Sequence, residues 1–462
     1  MTLRFDESLG KLAAVIEGHL GRAALESGRA LRDVTGRLAF FVASELEPEV
    51  FEKLESALKA DLGAYARSDR LLACKGDFGV DKVLGEPALF VPIGDLTVRL
   101  VDRRLVGGDW LRTPRDQALP PPRFVFASLK GGVGRSTALA VTAAHLAKQG
   151  KRILIIDLDM EAPGLGAMLL DSNTTPAFGV IDALVENAIS GLDPQFMADL
   201  VGPSALADRA GRIDVIPAFG KNSLNNPGDV LSKIARAYTE DQAPDGGSAT
   251  ILDQVRALID RIVSDNRYDA VLVDARAGLH ETTPAAILGL GATRVFLFGL
   301  NEPQTFQGYQ ALFAHIFRLI DSGANSDNFL SRLVVVHAKA SKRKKEHAEF
   351  VAKCVQLLDR ASYGVKSESG GEGGGKVLPP AEPFSDVPWD DEISDKDLGL
   401  EDEVKESDPL VIFHDERFMY FDPDRRRQLL DDEIYSSAYG EFLDEIDAVI
   451  ERSRGGNKNA NS

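Results

Sequence analysis

Short apolar runs alternate along the chain with amphipathic stretches and with turns rich in glycine and proline, and this alternation predicts strands and helices in series. In the first 118 residues Leu9, Leu12, Ile16 and Leu20 recur at helical spacing, as do Phe51, Leu54, Leu58 and Leu62. Leu38–Val42 is a β-like run between them, and Ala88–Pro92 and Leu96–Val101 predict a strand pair around Ile93-Gly94-Asp95. Residues 1–118 therefore read as a small α/β domain, for which partner binding or sensing is the expected role. In Arg103-Arg104-Leu-Val-Gly-Gly-Asp-Trp110, the tryptophan is expected to pack on the core, and the arginines are either a partner-binding edge or part of a turn.

The proline-rich stretch 114–122 reads as a stiff linker. After it come apolar strands at Phe124–Ala127, Arg152–Ile156, Arg212–Pro217, Tyr268–Asp274, Arg294–Leu300 and Leu333–Val336. Between them lie helical stretches at Ala138–Gln149, Val180–Ala188, Ile251–Val263 and Gln304–Ile320, and a polar insertion, Thr239–Ala249, expected to be exposed. The expected divisions are a nucleotide domain over 119–363, a Gly/Pro-rich linker over 364–383, a C-terminal part over 384–455 that completes the nucleotide domain, and a loose tail over 456–462. Pro409–Phe413 is either a last strand or a docking segment, and Tyr435–Glu451 is an amphipathic helix.

The chemistry centres on Ser128-Leu129-Lys130-Gly131-Gly132-Val133-Gly134-Arg135-Ser136-Thr137, which lies between the first strand of the nucleotide domain and its helix. In that context glycines let successive backbone N–H groups turn toward anionic oxygens, and the helix N-terminus adds a favourable dipole. A long cation beside the last glycine reaches the β/γ-phosphates and the following hydroxyl holds Mg²⁺; here these are Arg135 and Ser136. The strand 152–156 delivers two alternate acids, Asp157 and Asp159, to its end, where α/β sheets place ligand chemistry. Another apolar strand ends in the single acid Asp274, as a carboxylate beside a Mg²⁺ shell requires. Arg276 either joins Arg135 in a phosphate clamp or pairs with an acid such as Glu281.

Lys130-Gly-Gly-Val-Gly followed by a cation, serine and threonine resembles the deviant Walker A motif of the ParA/MinD ATPase superfamily, in a variant with arginine for the usual lysine. Asp157-Leu-Asp159 with Pro163-Gly164 is similar to that family's A′ segment, and the strand ending at Asp274 to its Walker B. The resemblance implies a doubly wound, mainly parallel α/β sheet of the P-loop NTPase class, with ATP and Mg²⁺ as ligands. It further implies that Gly131, Gly132, Val133, Gly134 and Arg135 cradle phosphate, that Thr137 contacts the α-phosphate, and that Ser136, Asp157 and Asp274 face the metal. Asp159 would polarise the attacking water, and Lys130 would reach the nucleotide of the partner in an ATP-dependent homodimer. By the same resemblance His337 stands where an asparagine reads adenine, and Pro388, beside Trp389, lies near the base. The implied activity is slow Mg-dependent ATP hydrolysis in a dimeric switch that regulates a protein partner. KGGVGR-type ATPases also resemble components of bacterial conflict or defence systems.

Composition narrows the alternatives. The net charge of −18 over 462 residues opposes non-specific attraction to nucleic acid or anionic lipid. Residues 382–408 carry 12 acids against 2 bases, whereas residues 1–120 are nearly balanced. A DNA-associated partition-type ATPase needs a basic face, for which Lys342-Arg-Lys-Lys345 is the candidate. A kinase related to the bacterial tyrosine kinases would bring a tyrosine-rich tail, which the end of this chain lacks. Only Cys74 and Cys354 occur, so neither a disulfide framework nor a cysteine metal site is indicated. With no signal-like or spanning apolar run, a cytoplasmic protein without membrane attachment is expected.

Overall fold

The computed structural model describes residues 3–189, 191–207, 210–242, 248–264, 268–322, 327–363 and 408–459. Two compact units are distinguished. One contains the chain up to Thr113 with short stretches beginning at Leu312 and Leu358; the other contains the remainder from Pro114.

In the first unit, β1 (Arg29–Arg32), β2 (Leu38–Val42), β3 (Leu72–Cys74), β4 (Leu89–Ile93) and β5 (Leu96–Asp102) form a mixed sheet ordered β3-β2-β1-β5-β4. All five residues of β2 are buried because both faces of the sheet are covered. Leu38, Phe40 and Val42 point into a core with Leu12 and Ile16 of the helix Phe5–Leu20 and with Leu54, Leu58 and Leu62 of the helix Pro48–Leu62. Ala39 and Phe41 point the other way, against Val80 and Val83 of the helix Val80–Gly85. The expected strand pair is present as antiparallel β4 and β5. Arg103 pairs with Glu86 at 2.9 Å and Arg104 with Asp102 at 2.8 Å, so both have acidic partners within their own unit. The Trp110 ring sits edge-on to His315, with centroids 5.7 Å apart.

The second unit is built on an eight-stranded sheet. Its strands are β6 (Arg123–Ser128), β7 (Arg152–Asp157), β8 (Gly202–Pro203), β9 (Arg212–Ile216), then, after the two-residue pair β10 (Asp241–Gln242) and β11 (Ser248–Ala249), β12 (Ala270–Ala277), β13 (Arg294–Gly299), β14 (Leu333–Ala340) and β15 (Leu410–Phe413). The order is β15-β14-β13-β6-β12-β7-β9-β8, parallel throughout except for β8 against β9. The expected α/β class and mainly parallel sheet are therefore present. From β6 the chain moves outward on one side through β7 to β9, returns to insert β12 between β6 and β7, and leaves on the other side through β13 and β14. That reversal beside β6 opens a crevice at the strand C-termini, where such sheets bind ligands.

Pro409–Phe413 resolves as strand: β15 extends the sheet parallel to β14, with Leu410 opposite Val336. The helix Asp432–Asn459 covers the same side of the sheet as the helix Arg135–Lys148. Its Phe442 is fully buried, with ring centroids 4.7 Å from Phe296, 5.8 Å from Phe298 and 6.0 Å from Phe126. Rings from two strands and one helix thus form a single aromatic cluster under the central strands. The sequence places the end of β14 at Val336, but the strand continues to Ala340 because Val336, Ala338 and Ala340 keep a buried period-two face through polar neighbours. Among the described residues no helix is long and apolar enough to cross a membrane.

Candidate functional site

The glycine-rich loop joins β6 to the helix Arg135–Lys148, which starts on the loop's last residues. Gly132 at φ 75° and Gly134 at φ 93° lie in the left-handed region, where a side chain is disfavoured, and so turn the backbone into the helix start. β12 and β7 are in register, placing Asp274 directly beside Asp157 at the sheet's C-terminal edge. Asp157 and Asp274 are 0% and 1% exposed, and Asp159 is 9% exposed.

These acids and the loop form one polar cluster. Ser136 Oγ donates to Asp274 Oδ2 at 2.6 Å. Arg135 is itself buried: its Nε lies 2.5 Å from Asp274 Oδ1, its Nη2 donates to Asp159 Oδ2 at 3.2 Å, and its Nη1 reaches Ser128 Oγ at 3.4 Å. Asp157 Oδ1 accepts the Asp159 N–H at 3.0 Å, while its Oδ2 is buried without a hydrogen-bond partner. Burial, reinforced by the neighbouring Asp274, pushes the Asp157 carboxyl up to about 8. Burial also raises Asp274, against the opposing pull of Arg135. Lys130 Nζ pairs with Glu302 Oε2 at 2.6 Å, from the turn after β13.

Residues 123–327 match the model of a family described as AAA domain. The matched segment holds the glycine-rich loop together with Asp157, Asp159 and Asp274. Parts of the chain are also similar to solved structures. The ParA family ATPase from Chlorobium tepidum TLS is 16% identical, over 53% of this chain and 81% of that one, with a TM-score of 0.35. The MinC:MinD cell division protein complex from Aquifex aeolicus gives 19% over 52% and 78%, TM-score 0.33. Cobyrinic acid a,c-diamide synthase from Mycobacterium smegmatis, with bound ATP analog and magnesium, gives 17% over 52% and 80%, TM-score 0.35. No curated protein matches the sequence.

In this segment Lys130, Gly131, Gly132, Val133, Gly134, Arg135, Ser136 and Thr137 share one loop and helix start, with Asp157, Asp159 and Asp274 against it. Hard oxygens from Ser136, Asp157 and Asp274, one of them without a partner, suit Mg²⁺. Among the described residues no group of three or more histidines, cysteines or acids is arranged to hold a metal ion.

Two of the expected residues, Arg276 and His337, have partners of another kind. Of the two readings of Arg276, the structure shows an acidic partner: its Nη1 contacts Glu161 Oε1. The same oxygen accepts from the Tyr238 hydroxyl and lies 3.2 Å from His280 Nε2. His337 is 1% exposed and turned away from the loop, because alternation along β14 sends it to the face opposite Val336 and Ala338. Its ring stacks on Phe350 at 4.1 Å, and its Nδ1 lies 3.1 Å from His347 Nδ1. Pro388 falls outside the described residues, as does most of the acidic stretch 382–408. Among the described residues, the cavity beside Gly134 and Thr137 is lined by Lys339 from β14 and by His414, Asp415 and Met419 from beyond β15. Lys339 has φ 52°, unusual for a side chain with a Cβ, and its Nζ donates to Gly132 O at 2.7 Å. No sequence motif marks Lys339, although Glu161, two residues past Asp159 in the acidic alternation, carried a signal.

Burial, and then His347, lowers His337 to about 4. A histidine held neutral in this way stabilises the fold fully above its unfolded pKa near 6.5, and that stability is lost as pH falls toward 4. Urea unfolding should show a loss of about 1–2 kcal/mol between about pH 7.5 and pH 5. The His337→Phe variant, which keeps the stack on Phe350, should flatten this dependence; an unchanged slope would assign it to other groups.

Proposed function

We propose that the chain is an ATP-binding, slowly ATP-hydrolysing switch that dimerises on ATP and regulates a protein partner through its N-terminal unit. The observation carrying this reading is the meeting of the Lys130–Thr137 loop with Asp157, Asp159 and Asp274 at the ends of three adjacent strands. In this reading the amides of Gly131–Gly134 and the Arg135 guanidinium hold the β/γ-phosphates, and Thr137 contacts the α-phosphate. Bound Mg²⁺, held by Ser136, Asp157 and Asp274, would neutralise phosphate charge. Asp159 orients the attacking water, and hydrolysis depends on positioning and electrostatics. Arginine keeps the cation of the usual lysine but is bulkier and planar, which favours slow turnover. Lys130, 39% exposed at its side chain and held by Glu302, is available to exchange that partner for a nucleotide across a dimer interface.

Light scattering tests this reading with no nucleotide, with ADP, and with ATP plus Mg²⁺. The wild type should double its mass only with ATP, and Lys130→Ala should remain monomeric while still binding ATP. A mass unchanged by bound ATP would overturn the dimeric switch. A DNA-associated role is the second reading, motivated by the exposed Lys342, Arg343, Lys344 and Lys345 at the start of the helix Lys344–Tyr363. It requires ATP-stimulated, salt-sensitive DNA binding that weakens when these four are changed to glutamine.

A further inference from the structure

We propose that Arg135 is the resident counter-ion of the Asp159 and Asp274 carboxylates, and that it keeps a divalent cation out of this site until a phosphate ligand offers its guanidinium another partner. The inference rests on the ATP-site reading and concerns the order in which that site fills. The geometry is specific. The guanidinium is buried, touches Asp274 Oδ1 at 2.5 Å and Asp159 Oδ2 at 3.2 Å, and rests on Ser128 Oγ. The other oxygen of Asp274 is taken by the Ser136 hydroxyl. The side chain that sequence alone sends to the phosphates thus lies among the acids, and the hydroxyl and carboxylate assigned to the metal are bonded to each other.

Buried carboxylates require a positive charge close by, since an unpaired buried charge is strongly destabilising. A guanidinium presents a rigid planar fork that bridges two carboxylates, whereas a lysine ammonium is a point charge suited to one. A divalent ion entering between Asp274 and Ser136 would meet this guanidinium at contact distance, and like charges there repel. The two cations therefore compete for one set of oxygens. Phosphate removes the competition because arginine binds it in the same bidentate manner, freeing the carboxylates for the metal. Phosphate ligand and divalent ion then strengthen each other's binding, and by linkage the coupling is reciprocal.

The test uses Mn²⁺ alone, without nucleotide, on the full chain. Binding is read by electron paramagnetic resonance and by the shift in thermal unfolding. Wild type should show no Mn²⁺ binding that depends on Asp274. Arg135→Gln should gain one site, about tenfold or more tighter than any wild-type binding, and Mn²⁺ should restore part of its lost thermal stability. The double variant Arg135→Gln/Asp274→Asn should lose that site, which separates it from binding elsewhere on an acidic chain. Arg135→Met serves as a second uncharged variant should glutamine prevent folding. An Asp274-dependent Mn²⁺ site in the wild type, or no gain in either variant, overturns the proposal. ATP binding is measured separately with a fluorescent analogue, so its absence would defeat the ATP reading without altering the Mn²⁺ comparison.

Discussion

Asp159→Asn should lower ATP turnover by about 10²–10⁴-fold, the range expected when a positioned proton acceptor is removed, while ATP affinity changes little. Asp159 stands two residues beyond the end of β7, nearly buried, with Oδ1 accepting the Ala162 N–H at 3.3 Å and Oδ2 facing Arg135. Asparagine keeps the shape and the contact with Ala162 but removes the negative charge that, in the proposed function, polarises the attacking water. Phosphate release gives the turnover, and a fluorescent ATP analogue gives the affinity. Loss of both together would make Asp159 a structural partner of Arg135, and turnover at the wild-type rate would remove it from the chemistry.

Phe442→Ala should cost about 3–5 kcal/mol of stability, as expected for deleting a fully buried aromatic ring from a packed core. The ring sits against Phe126 of β6 and against Phe296 and Phe298 of β13. β6 leads directly into the glycine-rich loop, so the cavity opens beneath the strand that holds the site. His145, paired with Asp447 at 2.9 Å, and Lys148, paired with Asp432 at 2.8 Å, tie the loop's own helix to the same C-terminal helix. Urea unfolding followed by tryptophan-independent circular dichroism should show the loss as a lower midpoint with little change in slope. A cost below about 1 kcal/mol would mean that the helix is peripheral to the core, since exposed substitutions fall in that range.

The loop, its flanking strand and helix, and the acids at Asp157, Asp159 and Asp274 were legible because each depends on neighbours in sequence. A glycine-rich turn needs particular residues at fixed offsets, and a strand that delivers an acid to its end is an apolar run stopped by a carboxylate. The α/β alternation was legible for the same reason, since buried strands and amphipathic helices each carry their own period. The pairings around the site depend on residues far apart in the chain. For Arg276 the sequence left a phosphate clamp and an acidic pairing both open, and the fold brings it to an acid 115 positions away in the chain, Glu161. By resemblance His337 stands where an asparagine reads adenine, but the strand continues and its alternation turns the ring inward onto Phe350.

By itself, then, the sequence determined the class of fold, the position of the glycine-rich loop and the acids that accompany it, because local spacing and burial pattern are sufficient for these. The tertiary structure alone decided that β15 lies parallel to β14 and that Phe442 of the C-terminal helix packs against rings of β6 and β13. It also decided that Lys339, His414 and Asp415 line the cavity beside Thr137, and that the Arg135 guanidinium lies among the carboxylates. Those outcomes depend on strand order and register, which bring distant residues within a few ångströms, and on the rule that buried charges must find partners in the folded chain.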